Sequence, residues 1–353
     1  MSNKLESITV LRGDGIGPEV VNEAIKVLDA IGEKFGHNFT YDNQLMGAVA
    51  IDETGVPLPD ETLESCRNTD ALLLGAIGHP RFDNDPSSTV RPEQGLLKLR
   101  KELGLFANVR PLRIFESLKH LSVLKPEQLD GVDMVIYREL TGGIYFGEKN
   151  KTDDSASDLC LYHRYEIERI AKLAFEAATQ RRNKLCLIDK ANVLNSSRLW
   201  REVVQNMASD YPSVELSYMF VDNAAMQMIL YPAQFDVIVT SNMFGDIISD
   251  EASILGGSLG LLPSSSAGAK ARMYEPCHGS YPQAAGKNIA NPLATILSVE
   301  MMLRDFDLIK EADSIRDAAE FVVNNRILTQ DLVKENAVSC SELGDAMVSK
   351  IKE

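Results

Sequence analysis

No apolar run in this chain of 353 residues approaches the ~20 residues that a bilayer span needs. The N-terminal stretch MSNKLESITV has no apolar signal core, so the chain is expected to stay where it is made, in the cytoplasm. Cysteine is scarce and scattered. Cys66, Cys160, Cys186, Cys277 and Cys340 form no CxxC pair, the pattern of a reduced protein whose thiols are buried. Positive charge is also short: 36 Lys and Arg against 51 Asp and Glu leave a net charge of −15. That balance argues against a nucleic-acid or anionic-membrane surface, which needs clustered cations. Arginines that do cluster are therefore read as local anion sites. Internal repeats, low-complexity tracts and long linkers are missing too, so packed domains are expected, about two at this length.

What is present is an alternation. ESITVLRG, DALLLGAIG, VDMVIYREL, KLCLIDKAN and FDVIVTSNM read as strands. PEVVNEAIKVLDAIGEKF, RYEIERIAKLAFEAATQRR and SSRLWREVVQNMASDY carry helical apolar spacing. Buried strands separated by helices predict an α/β fold with mostly parallel pairing. LTGGIYFGEKNKTDDSASDLCLYHR has no helical period and reads as an extended excursion, an arm exchanged with a partner chain.

The glycines of VLRGDGIGPEVV, residues 10–21, look at first like a dinucleotide fingerprint. That motif needs a glycine at position 18, where this chain has Pro18. Pro18 followed by Glu19 suits the first turn of a helix instead, and Gly13, Gly15 and Gly17 a tight turn before it.

Four groups of residues carry chemistry. Asp246 and Asp250 stand four apart after a strand, on one helical face, where two carboxylates invite Mg²⁺ or Mn²⁺. They are equally what a solvated helix start carries. Asp222, after another apolar strand, could complete the set. Arg100, Arg110 and Arg138 stand at element boundaries, as carboxylate clamps or as surface ion pairs. Lys190 follows the strand LCLID and Tyr145 lies in GGIYFGE, a base and an acid if desolvated, a strand-end lysine and a packing ring if not. EPCHGSYPQAAGKNIANP, residues 275–292, is rich in small residues and leads into LATILSVEMML. It offers backbone N–H groups to a nucleotide, with His278 beside them, or is a plain turn.

GDGIGPE, LRKELGLFANVRP, RELTGGIYFGE, DKANVL, FVDNAAM, SNMFGDIISDEAS and EPCHGSYPQAAGKNIANP occur in this order over essentially the whole chain. Together they resemble the β-hydroxyacid oxidative decarboxylases, the isocitrate/isopropylmalate dehydrogenase family. The resemblance implies a two-domain α/β/α fold distinct from the Rossmann fold, with an arm for dimerisation. One discontinuous domain would comprise residues 1–105 and 257–353 and carry the NAD loop; residues 106–256 would carry the metal site, arm and dimer interface. It implies that Arg100, Arg110 and Arg138 hold the carboxylates of a malate moiety and that Tyr145 protonates the enol. Lys190 would act on the substrate hydroxyl, and Asp222, Asp246 and Asp250 would hold Mg²⁺ or Mn²⁺. Lys190 and Asp222 would come from the neighbouring subunit of a homodimer. NAD would lie against Ile16, Glu275, His278, Gly279, Ser280, Tyr281, Gln283 and Asn291. Gln283 replaces the aspartate usual in NAD-dependent members and Tyr281 a small residue. No basic residue stands in YPQAA as in NADP-dependent relatives, so NAD is expected.

The family shares a malate core, and the substituent must be read elsewhere. Glu93, Leu96, Leu97 and Arg100 fall at i, i+3, i+4 and i+7, one helical face. Two leucines beside a clamp arginine favour an isopropyl group. A third carboxylate, as in isocitrate, would be desolvated without a partner and repelled by Glu93. The expected substrate is 3-isopropylmalate, with D-malate or tartrate as the alternative; the bland reading makes both leucines core residues. A silent, metabolite-binding member would have lost Lys190, Tyr145 or an aspartate, and all are present.

Overall fold

The computed structural model describes residues 4–83 and 88–353. It divides into two compact units, one built from the chain up to Gly104 and from Gly257 onward, the other from Leu105–Gly256.

The first unit opens with β1 (Ser7–Gly13), α1 (Gly17–Phe35), β2 (Thr40–Gln44), α2 (Ala48–Thr54), α3 (Asp60–Arg67), β3 (Ala71–Ala76), α4 (Pro80–Asp83) and α5 (Pro92–Glu102). Helix α1 starts with Pro18 and Glu19 in its first turn and ends on Gly36 in the left-handed conformation. That is the pairing of proline inside the start and glycine past the end.

The second unit contains β4 (Leu105–Arg113), β5 (Asp133–Glu139), β6 (Lys149–Lys151), β7 (Ala156–Asp158), α6 (Arg164–Thr179), β8 (Lys184–Asp189), α7 (Asn195–Met207), β9 (Glu215–Phe220), α8 (Val221–Leu230), β10 (Val237–Thr240) and α9 (Asn242–Ser253). Its sheet runs β4-β5-β10-β8-β9, parallel except for the antiparallel β4–β5 pair. Successive strand residues face opposite ways, so Arg138 on β5 meets Asp246 of α9 while its neighbour Glu139 meets Arg169 of α6. Helices thus cover both faces. The expected excursion is an exposed hairpin, β6 with β7, apart from this sheet.

The chain then returns to the first unit with β11 (Pro263–Gly268), β12 (Arg272–Pro276), α10 (Leu293–Asp305), α11 (Ile309–Asn324) and α12 (Cys340–Lys352). The sheet order there is β2-β1-β3-β12-β11, parallel except β11–β12. Its core is the buried run Leu72, Leu73, Leu74 with Val10 and Leu11 against α1 and α10.

Candidate active site

In the second unit the β4–β5 register sets Asn108 opposite Arg138, and Arg110 two residues on, so all three point to the face that α9 covers. Arg110 donates from Nε to the Asn108 side-chain oxygen (2.7 Å) and from Nη1 to Ser249 (2.7 Å) and Asp250 (2.8 Å). Arg138 donates to Asn242 Oδ1 from Nε (3.2 Å) and Nη2 (3.0 Å), and through Nη1 to Asp246. Gly245 makes room for this crossing: a Cβ there would lie 2.6 Å from Arg138 Cγ. Tyr145, on a turn of 3₁₀-helix at Gly143–Tyr145, donates its hydroxyl to the other Asp246 oxygen at 2.9 Å. Desolvation, then the Asp246 carboxylate, raises its pKa, so the phenol keeps its proton through the neutral range.

Lys190 extends from the end of β8, and its ammonium pairs with Asp222 in the first turn of α8 at 2.7 Å. Asp189 beside it is buried and accepts both prongs of Arg201 (2.9 and 2.8 Å). That lock fixes the strand end from which Lys190 projects. The hydrogen bond from Lys190 holds the Asp222 carboxyl below its usual pKa. Among the described residues no three acids, histidines or cysteines converge as a metal set. Asp246 and Asp250 supply two carboxylates one turn apart, and Asp222 lies elsewhere in the same chain.

In the first unit, Ile16, Ser258, Leu259, Gly260, His278, Gly279, Tyr281, Ile289, Ala290, Asn291, Gln330 and Asp331 line a cavity of about 430 Å³. His278 is half-buried; its Nδ1 lies 2.9 Å from the Gly279 carbonyl, and its Nε2 is shut off from solvent without a partner. Desolvation lowers its pKa, so the ring is neutral. The opening glycine loop borders this cavity through Ile16. Gly15, at φ +60°, has no room for a side chain, since a Cβ would lie 1.9 Å from the Ser280 carbonyl that accepts the Ile16 N–H (2.8 Å). Asp14 between them is buried and takes the backbone N–H groups of Ala48, Val49 and Gly78. Glu19 accepts the Gly286 N–H at 2.5 Å, and Asn288 exchanges hydrogen bonds with Ser341, so the loop is held from α1 and from α12.

A model of the family described as "Isocitrate/isopropylmalate dehydrogenase" matches residues 7–347. The chain belongs to the isocitrate/isopropylmalate dehydrogenase family. It is 52% identical to the 3-isopropylmalate dehydrogenase of Bacteroides fragilis over 348 residues, covering 98% of this chain and 99% of the relative. It is 53% identical to that of Pseudomonas syringae pv. syringae, with the same two shares. Among solved structures, isocitrate dehydrogenase from Methylococcus capsulatus matches with a TM-score of 0.88 at 35% identity, covering 99% of this chain and 100% of that one.

The cavity of this family member takes in some of the residues expected around NAD and not others. The cavity wall includes Ile16, His278, Gly279, Tyr281 and Asn291 but leaves out Glu275, Ser280 and Gln283. Glu275 is buried against Arg100 (3.0 Å) and Ser266 (3.2 Å). Ser280 contributes its carbonyl to Ile16, and Gln283 is exposed on a short turn of 3₁₀-helix. On α5, Leu99 enters the core, whereas Leu97 is 40% exposed and Leu96 is half-buried, so the core reading of those two leucines fails. Glu93 is exposed on the same helix. Asn108, Asn242 and Ser249 were not foreseen. The signal was present in NVR and NMFGDIISD, at strand spacing i, i+2 and helix spacing i, i+4, i+7, i+8.

Proposed function

We propose that this chain oxidises and decarboxylates 3-isopropylmalate with NAD and Mg²⁺ or Mn²⁺, giving 4-methyl-2-oxopentanoate and CO₂, a step of leucine biosynthesis in the cytoplasm. The observation that carries this reading is the charge arrangement on α9. Arg110 and Arg138, 16% and 6% exposed at their side chains, are paired with Asp250 and Asp246. Two guanidiniums against two carboxylates sum to zero. A dicarboxylate arriving with a divalent cation also sums to zero, so the pairs can exchange without leaving net charge in a half-buried site. With their guanidiniums held in place, the arginines would offer the N–H groups now on the aspartates to the substrate, and the aspartates would hold the cation, a hard ion that suits one or two carboxylates plus substrate oxygens. The relatives' names select the isopropyl-bearing malate, and Leu96 and Leu97 beside Arg100 give its substituent an apolar surface.

A cation held by Asp246 and Asp250 would supply the Lewis acidity that lowers the hydroxyl's pKa, and bound NAD would supply the hydride acceptor. The chain's own side chains do the rest. Arg100, Arg110 and Arg138 hold the two carboxylates. Lys190, neutral in the reactive state and released from its pairing with Asp222, takes the hydroxyl proton directly or through water, and Tyr145, protonated at neutral pH, gives a proton to the carbon left after CO₂ departs. The 430 Å³ cavity, walled by Ile16, His278, Gly279 and Asn291, is the place this reading assigns to the adenosine part of NAD.

The working unit of this proposal is a homodimer. Lys190 and Asp222 serve the Arg110–Arg138 site of a second copy, and Asp222 completes its metal set. Packed helices α8 and α9 leave Met226, Ile229, Leu230, Ile247 and Ile254 exposed. Large apolar side chains exposed along two packed helices are a common mark of a protein–protein contact. We take another copy of this chain as the cover of this apolar face, because the face lies on the elements that carry Asp222, Asp246 and Asp250. Among the described residues no helix is long and apolar enough to cross a membrane.

The test is formation of reduced nicotinamide from 3-isopropylmalate. It should require Mg²⁺ or Mn²⁺, stop on chelation, and yield 4-methyl-2-oxopentanoate. No turnover with either cation would overturn the proposal.

A further inference from the structure

Arg138 lies on a sheet, Tyr145 on a loop and Asp246 on a helix, yet all three must be set to a fraction of an ångström for one reaction. One residue touches all three supports. Asn242, the first residue of α9, is 1% exposed. Its side-chain oxygen accepts two hydrogen bonds from the Arg138 guanidinium, from Nε at 3.2 Å and Nη2 at 3.0 Å. Its side-chain nitrogen donates to the Gly142 carbonyl at 3.3 Å, in the turn that leads to Tyr145. Its backbone N–H, one of the helix-start donors that α9 itself cannot satisfy, donates to the Tyr162 hydroxyl at 2.9 Å. The Tyr162 ring in turn lies under the same turn. A Cβ on Gly142 would be 2.8 Å from the ring, and one on Gly143, at φ +73°, 2.3 Å from its oxygen.

We propose that Asn242 is a positioning residue: its amide sets the plane of the Arg138 guanidinium and ties it to the Tyr145 turn and to the start of the helix that carries Asp246 and Asp250. The physical reason lies in the fork. A guanidinium recognises a carboxylate through two parallel N–H bonds only if its plane is fixed. With Nε and Nη2 both on one buried oxygen, rotation about the last side-chain bonds is blocked and Nη1 remains directed at Asp246. An amide does this where a carboxylate would not, since it leaves the positive charge available to substrate. Asn108 likewise accepts from Nε of Arg110.

The inference rests on the reading of Arg138 as a substrate-carboxylate holder, and the experiment separates the two. Dissociation constants of 3-isopropylmalate in the presence of Mg²⁺ are measured by calorimetry for the wild type, Asn242→Ala, Arg138→Lys and the double variant. A lysine has no fork to orient. The account predicts that Asn242→Ala weakens binding about tenfold beside Arg138 but less than about threefold beside Lys at that position. It also predicts an unchanged dissociation constant for NAD in the absence of substrate. Equal losses in both backgrounds would overturn the positioning role. Undiminished binding by Arg138→Lys would overturn the reading beneath it. Tyr162→Phe, which keeps the ring and removes only the hydroxyl, serves if Asn242→Ala does not fold. It should weaken 3-isopropylmalate binding beside Arg138 and not beside Lys, and equal effects in the two backgrounds would again refute the role.

Discussion

Truncating Leu97 to alanine is the sharpest test of substrate choice. The side chain sits on α5, one turn before Arg100, and 40% of it remains exposed. It therefore has apolar surface left for a ligand to cover, and little of the core depends on it. Fully burying a leucine is worth ~1.5–3 kcal/mol, so covering the remaining two-fifths is worth ~0.6–1.2 kcal/mol. The substrate's isopropyl group loses a contact of similar size, which brings the cost to ~1–2 kcal/mol, a factor of about 5 to 30. D-Malate has no substituent to lose. The ratio of kcat/KM for 3-isopropylmalate over D-malate should thus fall by that factor, while stability stays within ~0.5 kcal/mol because no core cavity is made. Steady-state kinetics with both substrates give the ratio directly. An unchanged ratio would mean that the isopropyl group rests elsewhere and that the α5 face has been misassigned.

Three further outcomes follow from the same geometry. Lys190→Ala and Arg110→Ala should each be inactive alone, and refolding the two together should restore about a quarter of the wild-type sites, as random pairing of a C₂ dimer requires; no recovery would exclude shared sites. Burial lowers the His278 pKa. The unfolded ring therefore binds a proton that the folded ring does not as pH falls from about 6.5 toward the folded value, and stability is lost over that window. His278→Gln should flatten this part of a Tm-against-pH profile, and a profile as steep as the wild type's would contradict the assignment. Glu19→Ala removes the acceptor of the Gly286 N–H and should raise KM for NAD several-fold with KM for 3-isopropylmalate unchanged; a rise in both would point to general loosening of the first unit.

The strands and helices were legible where burial writes a strong pattern. ALLLGA and VIVT are continuous apolar runs, and the amphipathic period of α1 ends on a glycine, so their place needed no tertiary information. The antiparallel pairs β4–β5 and β11–β12 were not legible. Strand direction is set by partners far along the chain, and PSSSAG reads as a loop until the buried face is seen, with Ser266 bonded to Glu275. Charged site residues stood out because arginine and aspartate at element ends in a chain of net charge −15 demand an explanation. Asn108 and Asn242 escaped notice because an amide carries no charge and earns its role only through the arginine it faces. The cavity wall escaped in part for a different reason: Leu259, Gln330 and Asp331 come from segments remote from the 275–292 loop, and local spacing holds no trace of that meeting.

The most direct test of the account is a comparison of kcat/KM for 3-isopropylmalate, D-malate and isocitrate, each with NAD and with NADP, in the presence of Mg²⁺. The account predicts 3-isopropylmalate with NAD as the best pair by at least an order of magnitude over the other two acids. A higher value for isocitrate or D-malate, or a preference for NADP, would contradict it.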